Sequence, residues 1–218
     1  MGIAELEAKM AKMENTIKDL GSRLTVTQDI QEIEKLQRIY GYLLDFQYHK
    51  DVVDLFSDDT ESVEVAGRGI YLGKKGAERF FLTSQGAPRE PWQMAHHMQL
   101  QGVVNVNPDG KTAFGRWHVL FMCVGGWGEP PKPTAAWGFG LYENTYVKEN
   151  GKWLFKKLYF NRIFYTPFDQ GWVKVPDMSR VRPPETADLP STTHHPYPAG
   201  YVIPFHFNNP ITGKAPKR

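Results

Sequence analysis

From Met94 to Arg162 the chain reads as four long strands in succession, Met94–Val106, Thr112–Val124, Ala135–Lys148 and Lys152–Arg162, with turn residues between them. Asn107-Pro108-Asp109-Gly110 and Glu149-Asn150-Gly151 carry the residue types that close hairpins, and Gly125–Pro133 is a longer Gly/Pro loop. Connections this short leave no room for crossover helices, so the strands must pair antiparallel with their chain neighbours. Strands of this length twist and curl, which lets the sheet wrap around a helix and leave a pocket open at one end. Helical periodicity is confined to the part of the chain before Met94, so the expected class is α+β: a cone-shaped α+β barrel with a curved mixed or antiparallel sheet around N-terminal helices.

The leading segment carries Ile3, Leu6, Met10, Met13, Ile17, Leu20 and Leu24 at alternating spacings of three and four, an a/d heptad with charged residues between. Such a helix either lies on its own domain or packs against another subunit, and residues 1–26 are assigned to oligomerisation, as a trimer or dimer. A break is expected at Gly21 and Thr25-Val26-Thr27, after which Asp29 and Glu32 form a capping-box pattern. Ile30, Ile33, Leu36, Tyr40 and Leu44 then recur at helical spacing to about Tyr48. A short helix over Lys50–Phe56, a strand over Ser62–Ala66, turn residues in Gly67–Gly73 and a helix over Lys74–Thr83 complete the central domain, residues 27–165. Residues 166–218 hold ten of the sixteen prolines together with Trp172, Tyr197, Tyr201, Phe205 and Phe207. Those aromatics need somewhere to pack, so an ordered, irregular arm is expected rather than a disordered tail.

Length and charge narrow the function. A chain of 218 residues fits one domain with extensions. Its 26 basic and 24 acidic residues are interspersed, which gives no footprint for nucleic acid. One cysteine, Cys123, permits no intramolecular disulfide and no cysteine metal cluster, and suits a reducing compartment. The N-terminus lacks the apolar run of a signal peptide and no window approaches a membrane span, so a cytoplasmic protein without membrane attachment is expected. Phosphate-binding glycine loops, a serine elbow, a Cys-His pair and an acidic metal cluster are all missing from the sequence, which leaves cofactor-free acid–base chemistry or simple binding.

Candidates for that chemistry lie on the strands and the second helix. Alternation puts His97, Gln99 and Gln101 on one strand face, and Phe114, Arg116, His118, Leu120 and Met122 on one face of the next. With His97 and His118 both turned inward, two imidazoles and Arg116 would surround one cavity, and imidazole serves as base or acid near neutral pH. His96 then faces away, which argues against a metal held by the His pair. Tyr42, Asp45 and Tyr48 recur every three residues on one helical face, where a phenol can hold a substrate oxygen. Asn161 and Arg162 end the last strand where a cavity would close, with Trp117, Trp137, Phe139, Met98 and Phe160 as further wall residues. His194-His195 lies in the proline-rich arm, a setting that suits solvent or an interface.

The segment Tyr40-Gly-Tyr-Leu-Leu-Asp-Phe-Gln-Tyr-His-Lys-Asp-Val-Val-Asp-Leu-Phe-Ser-Asp-Asp59 resembles the opening of SnoaL-like proteins of the nuclear transport factor two-like superfamily. Gly73–Phe81, His97 and Tyr142–Trp153 follow in the family's order, so the resemblance spans about Asp29 to Phe164. It is similar to scytalone dehydratase, which implies His97 as pocket base and His118 as the second imidazole. The dehydratase's helix Asp falls on Tyr48, with Asp45 three residues earlier as the replacement carboxylate. The leading helix and aromatic arm look most similar to bacterial γ-formaldehyde lyases of lignin-derived dimers. What the resemblance implies is a cofactor-free lyase that turns a phenolic diarylpropane diol into a stilbene, with loss of formaldehyde and water. In that reading His97 is the base, Asp45 or Tyr48 its partner, and His118 with Arg116 hold substrate oxygen. The alternatives are a dehydratase, cyclase or isomerase of another aromatic or polycyclic compound, and a non-catalytic small-molecule-binding module.

Overall fold

A computed structural model describes residues 2–84, 90–127, 132–178, 187–192 and 194–216. Six strands form one sheet: β1 (Ser62–Val65), β2 (Gly69–Leu72), β3 (Met94–Val106), β4 (Thr112–Trp127), β5 (Lys132–Glu149) and β6 (Lys152–Pro167). Their order is β2-β1-β6-β5-β4-β3, with β1 and β6 parallel and every other pair antiparallel. The sheet is therefore mixed and open, with β2 and β3 at its edges. Asn150 and Gly151 at the tip of the β5–β6 hairpin both have positive φ (48° and 77°), the backbone that a tight turn matched to strand twist requires. The Gly/Pro loop between β4 and β5 is shorter than expected, since both strands run further; its residues 128–131 lie outside the described residues.

One 43-residue helix, α1 (Ile3–Asp45), precedes the sheet, and the break expected near Gly21 does not occur. A single glycine costs a helix only about 1 kcal/mol. The nearby hydroxyls are absorbed within the helix: Ser22, Thr25 and Thr27 donate to the carbonyls of Lys18, Gly21 and Arg23. Asp29 does not cap a helix. It is buried in mid-helix, where it accepts from Lys148 and from the Trp153 indole (2.9 Å) and pins α1 to the β5–β6 hairpin.

The C-terminal part of α1 lies in the concave side of the sheet. Ile33, Leu36, Tyr40 and Leu44 pack there with Val119, Phe121, Tyr142, Phe155 and Leu158 to form the core. A polar link joins the same surfaces: the buried Gln37 donates to Gln99 and accepts from the Tyr146 hydroxyl, which in turn accepts from the Trp117 indole. Helices α2 (His49–Asp54) and α3 (Gly73–Glu78), the latter continued by a wider turn over Arg79–Ser84, close the side next to β1 and β2. The segment Gly69–Leu72, expected as turn, pairs as β2. Among the described residues no helix is long and apolar enough to cross a membrane.

Candidate active site

The last residue of α1 is Asp45, and the next residues end the helix abruptly, with Gln47 in the left-handed region (φ 63°). A carboxylate at a helix C-terminus meets the negative end of the helix dipole and needs donors to stay there. The edge strand β3 supplies them. The backbone N–H of His97 and its ring Nδ1 both lie 2.8 Å from Asp45 Oδ1, and His96 Nδ1 stands 3.6 Å from Oδ2 on the other side. Since the carboxylate accepts from Nδ1, the Nδ1–H tautomer is favoured and Nε2 is left with its lone pair. The His97 ring stacks on Phe121 (centroids 5.6 Å apart) and is about one-quarter exposed.

His97 lines a concave cavity of about 220 Å³ that is bounded by Tyr40, Phe121, Tyr142, Phe160, Arg162 and Tyr165, among others. Tyr40 and Tyr142 meet edge to face, 6.0 Å apart. Burial holds the Tyr40 hydroxyl well above the ordinary phenol range and pushes Tyr142 up to about 12, with the Asp45 charge adding to both. Both phenols are therefore neutral near neutral pH and hydrogen-bonded to each other, close to the Asp45–His97 pair. Farther along the wall, Phe121 leads to Tyr165 (5.3 Å), and the Arg162 guanidinium sits 5.3 Å from the Tyr165 ring. Arg162 is buried, donates to Asp177, and is accompanied at the cavity by Arg68. The cavity thus holds a base with its carboxylate, two neutral phenols and two cations. Such a set can take a proton, donate hydrogen bonds to oxygen and stabilise a developing oxyanion.

Of the residues expected from sequence, His97, Arg162 and Phe160 line this cavity, and Asp45 stands behind His97, bonded to its ring. The others do not, for specific reasons. Tyr48 is 58% exposed, because α1 stops at Asp45 and the three-residue spacing no longer marks one face. Tyr42 is 69% exposed and lines a second, more open groove of about 480 Å³, on the other side of Asp45 and His97, with Met98 and Met122. His118 is on the convex face, with Nδ1 2.9 Å from Gln101 Oε1, where burial and then the Arg116 charge hold its protonated form off. Arg116 is buried on that same face and binds Glu143 and the carbonyls of Ile203 and Pro204, with Phe205 stacked 4.2 Å away, so it fastens the C-terminal arm. Trp117 turns inward but belongs to the packed core. Trp137 joins an aromatic cluster with Phe164 and Trp172 on the other face, and Phe139 stacks on Phe164 there. Asn161 points opposite to its neighbours Phe160 and Arg162 and is buried away from the cavity. In the arm, His194 reaches Asp177 at 3.6 Å and His195 packs on Tyr201.

Sequence reasoning missed Tyr40, Tyr142, Arg68 and Tyr165. Tyr40 is assigned to the helix core by its spacing, and nothing in a single sequence tells a core tyrosine from one at a cavity edge. A pair of variants separates the two helix tyrosines. Tyr40→Phe is expected to lower turnover about 10²- to 10³-fold, the scale of losing one oriented hydrogen-bond donor, while Tyr48→Phe leaves it unchanged. Equal rates for both in a steady-state assay would remove Tyr40 from the machinery.

Comparison with known proteins agrees with this architecture. The family model of the SnoaL-like domain matches residues 25–159. A scytalone dehydratase candidate from Novosphingobium aromaticivorans superimposes with a TM-score of 0.54 at 19% identity, covering 72% of this chain and 97% of the other. A hexachlorocyclohexane dehydrochlorinase from Novosphingobium barchaimii gives 0.55 at 20% identity over 67% and 94%. An aromatic ring hydroxylase candidate from Novosphingobium aromaticivorans gives 0.53 at 20% over 65% and 94%. Among curated proteins none matches the chain. At these identities the likeness establishes the shared fold.

Proposed function

The chain belongs to the SnoaL-like domain family, and on that premise we propose that it is a cofactor-independent lyase acting on a phenolic aromatic compound. The finer reading is γ-formaldehyde elimination, with loss of water, from a lignin-derived diarylpropane diol to give a stilbene. The observation that carries it is the Asp45–His97 pair, which presents an imidazole lone pair to a cavity that also holds two neutral phenols and two guanidinium groups. The reaction is redox-neutral, since diol equals stilbene plus formaldehyde plus water, so acid–base groups suffice.

In the first step the benzylic C–O bond breaks with hydrogen bonds from Tyr40 or Tyr142 on the leaving oxygen. The substrate phenol gives up its proton, the departing hydroxyl takes one up through the tyrosine hydroxyls and leaves as water, and a quinone methide remains. His97 Nε2 then takes the proton of the terminal hydroxyl. The C–C bond to that carbon breaks, formaldehyde leaves, and the electron pair forms the stilbene double bond while the ring regains aromaticity as a phenolate. Arg68 and Arg162 are suited to hold that phenolate until it is reprotonated from His97. Sites for drug-sized ligands start at about 300 Å³. In this reading the cavity of about 220 Å³ takes the reacting ring and its side chain, with the second ring at the mouth.

Two further elements of the proposal concern setting. The lone Cys123, hydrogen-bonded to Tyr165 (3.1 Å), fits a reducing, cytoplasmic compartment. The protein acts as a homo-oligomer, held through the exposed N-terminal half of α1.

The test is incubation of the metal-stripped protein with a phenolic 1,2-diarylpropane-1,3-diol, following stilbene absorbance and free formaldehyde together. Stoichiometric appearance of both is the expected result. Loss of water without formaldehyde would replace the reading by a dehydratase, and the absence of both with a folded protein would end it for this substrate class.

A further inference from the structure

Every described residue from Gly2 to Gln28 is solvent-exposed, and the first buried residue of α1 is Asp29. At 1.5 Å per residue, about 39 Å of helix stands clear of the body. Along it Ile3, Leu6, Met10, Met13, Ile17, Leu20 and Leu24 are 42–78% exposed. Most helical stability in proteins comes from packing an apolar face rather than from propensity, and this stretch packs on nothing in its own body. Gly21, Thr16, Ser22, Thr25 and Thr27 lower its intrinsic propensity further. An apolar seam on such a helix needs a cover.

We infer that the cover is a second copy of the same segment, and that Ile3–Leu24 forms a parallel, in-register, two-stranded coiled coil joining two bodies at the same end. Three observations converge on this occupant. The seam keeps strict three-four spacing, so it matches an identical seam knob into hole. With Ile3, Met10, Ile17 and Leu24 at the a positions and Leu6, Met13 and Leu20 at d, the β-branched residues all fall at a and none at d, the distribution that favours two strands. The charges beside the seam select direction. The e positions hold Glu7 and Glu14, and the charged g positions hold Lys9 and Arg23. In a parallel pair g faces the next e of the partner, so Lys9 meets Glu14 twice. In an antiparallel pair e faces e and g faces g, and like charges meet. This inference stands apart from the proposed reaction, since no residue of the segment lines the cavity.

The experiment uses the full chain. Light scattering after size exclusion is expected to give twice the 24.9 kDa chain mass, and Ile17→Glu to give a single chain mass with the thermal transition of the body retained. A monomer or trimer in the parent protein, or a dimer that survives Ile17→Glu, would overturn the inference. Direction is read in a Cys123→Ser background carrying Leu20→Cys. In a parallel, in-register pair the new thiols lie opposite one another and oxidise to an interchain disulfide. A dimer that forms no such bond would overturn the parallel arrangement. Lys9→Glu is expected to weaken association and the added Glu14→Lys to restore it; in an antiparallel pair Lys9→Glu alone would instead relieve the g–g repulsion and tighten association.

Discussion

Replacing His97 by alanine is expected to lower kcat/KM about 10²- to 10⁴-fold, the range a positioned general base contributes. The fold should survive, because the ring is partly exposed at the cavity edge and its stacking on Phe121 is the main packing lost. Asp45→Asn is the sharper test. The asparagine carbonyl can still accept the His97 backbone N–H, so the helix end stays in place. Its amide then donates toward Nδ1, which moves the ring proton to Nε2 and removes the lone pair from the cavity. A loss comparable to that of His97→Ala, with an unchanged melting transition, is the expected result. Retention of kcat/KM within about threefold in either variant would show that proton transfer does not pass through this pair.

Phe155→Ala carries the largest expected effect on stability. The side chain is fully buried at the junction of three elements, stacked on Phe56 (5.1 Å) and packed against Tyr40 (5.4 Å) and Tyr146 (5.2 Å). Removing a buried phenylalanine costs about 3–5 kcal/mol through lost transfer energy and the cavity left behind. For a chain of this size that corresponds to roughly 6–20 °C in Tm. Because Tyr40 leans on the same ring, turnover of the variant at temperatures well below its Tm is also expected to fall. A Tm shift under about 3 °C would mean that the site collapses around the void and that the aromatic cluster is not the keystone of the core.

The α+β order, the long hairpins and the apolar helix face are legible in the chain because they rest on local periodicity and turn chemistry. Asn150-Gly151 closes a hairpin wherever it stands between alternating strands, and Asp109 does the same at the β3–β4 turn by accepting from the backbone of Lys111 and Thr112. Helix ends are less legible. Asp29 followed by Glu32 has the form of a cap, yet Lys148 and Trp153, more than a hundred residues away, bury it in mid-helix. The end at Asp45 carries neither glycine nor proline, and Gln47 takes the left-handed turn that usually marks such a stop.

His97 and His118 show where local reasoning ends. Val106 pairs with Ala113, and counting back without interruption would set His97 opposite Met122, on the face of His118. The register slips by one residue between Leu100 and Val103, so His97 stands opposite Phe121 and turns into the cone, while His118 remains outside. The slip is tied to packing: Gln101 adopts φ 51°, and a Cβ on Gly102 would lie 2.1 Å from the Trp117 ring. One extra residue in a strand exchanges its two faces. Which residues can act as base, carboxylate and cation, and that long strands would curl around a helix, follow from the chain alone. Which of them share a cavity was decided by the tertiary structure, because the strand register depends on a bulge held by a tryptophan from the neighbouring strand.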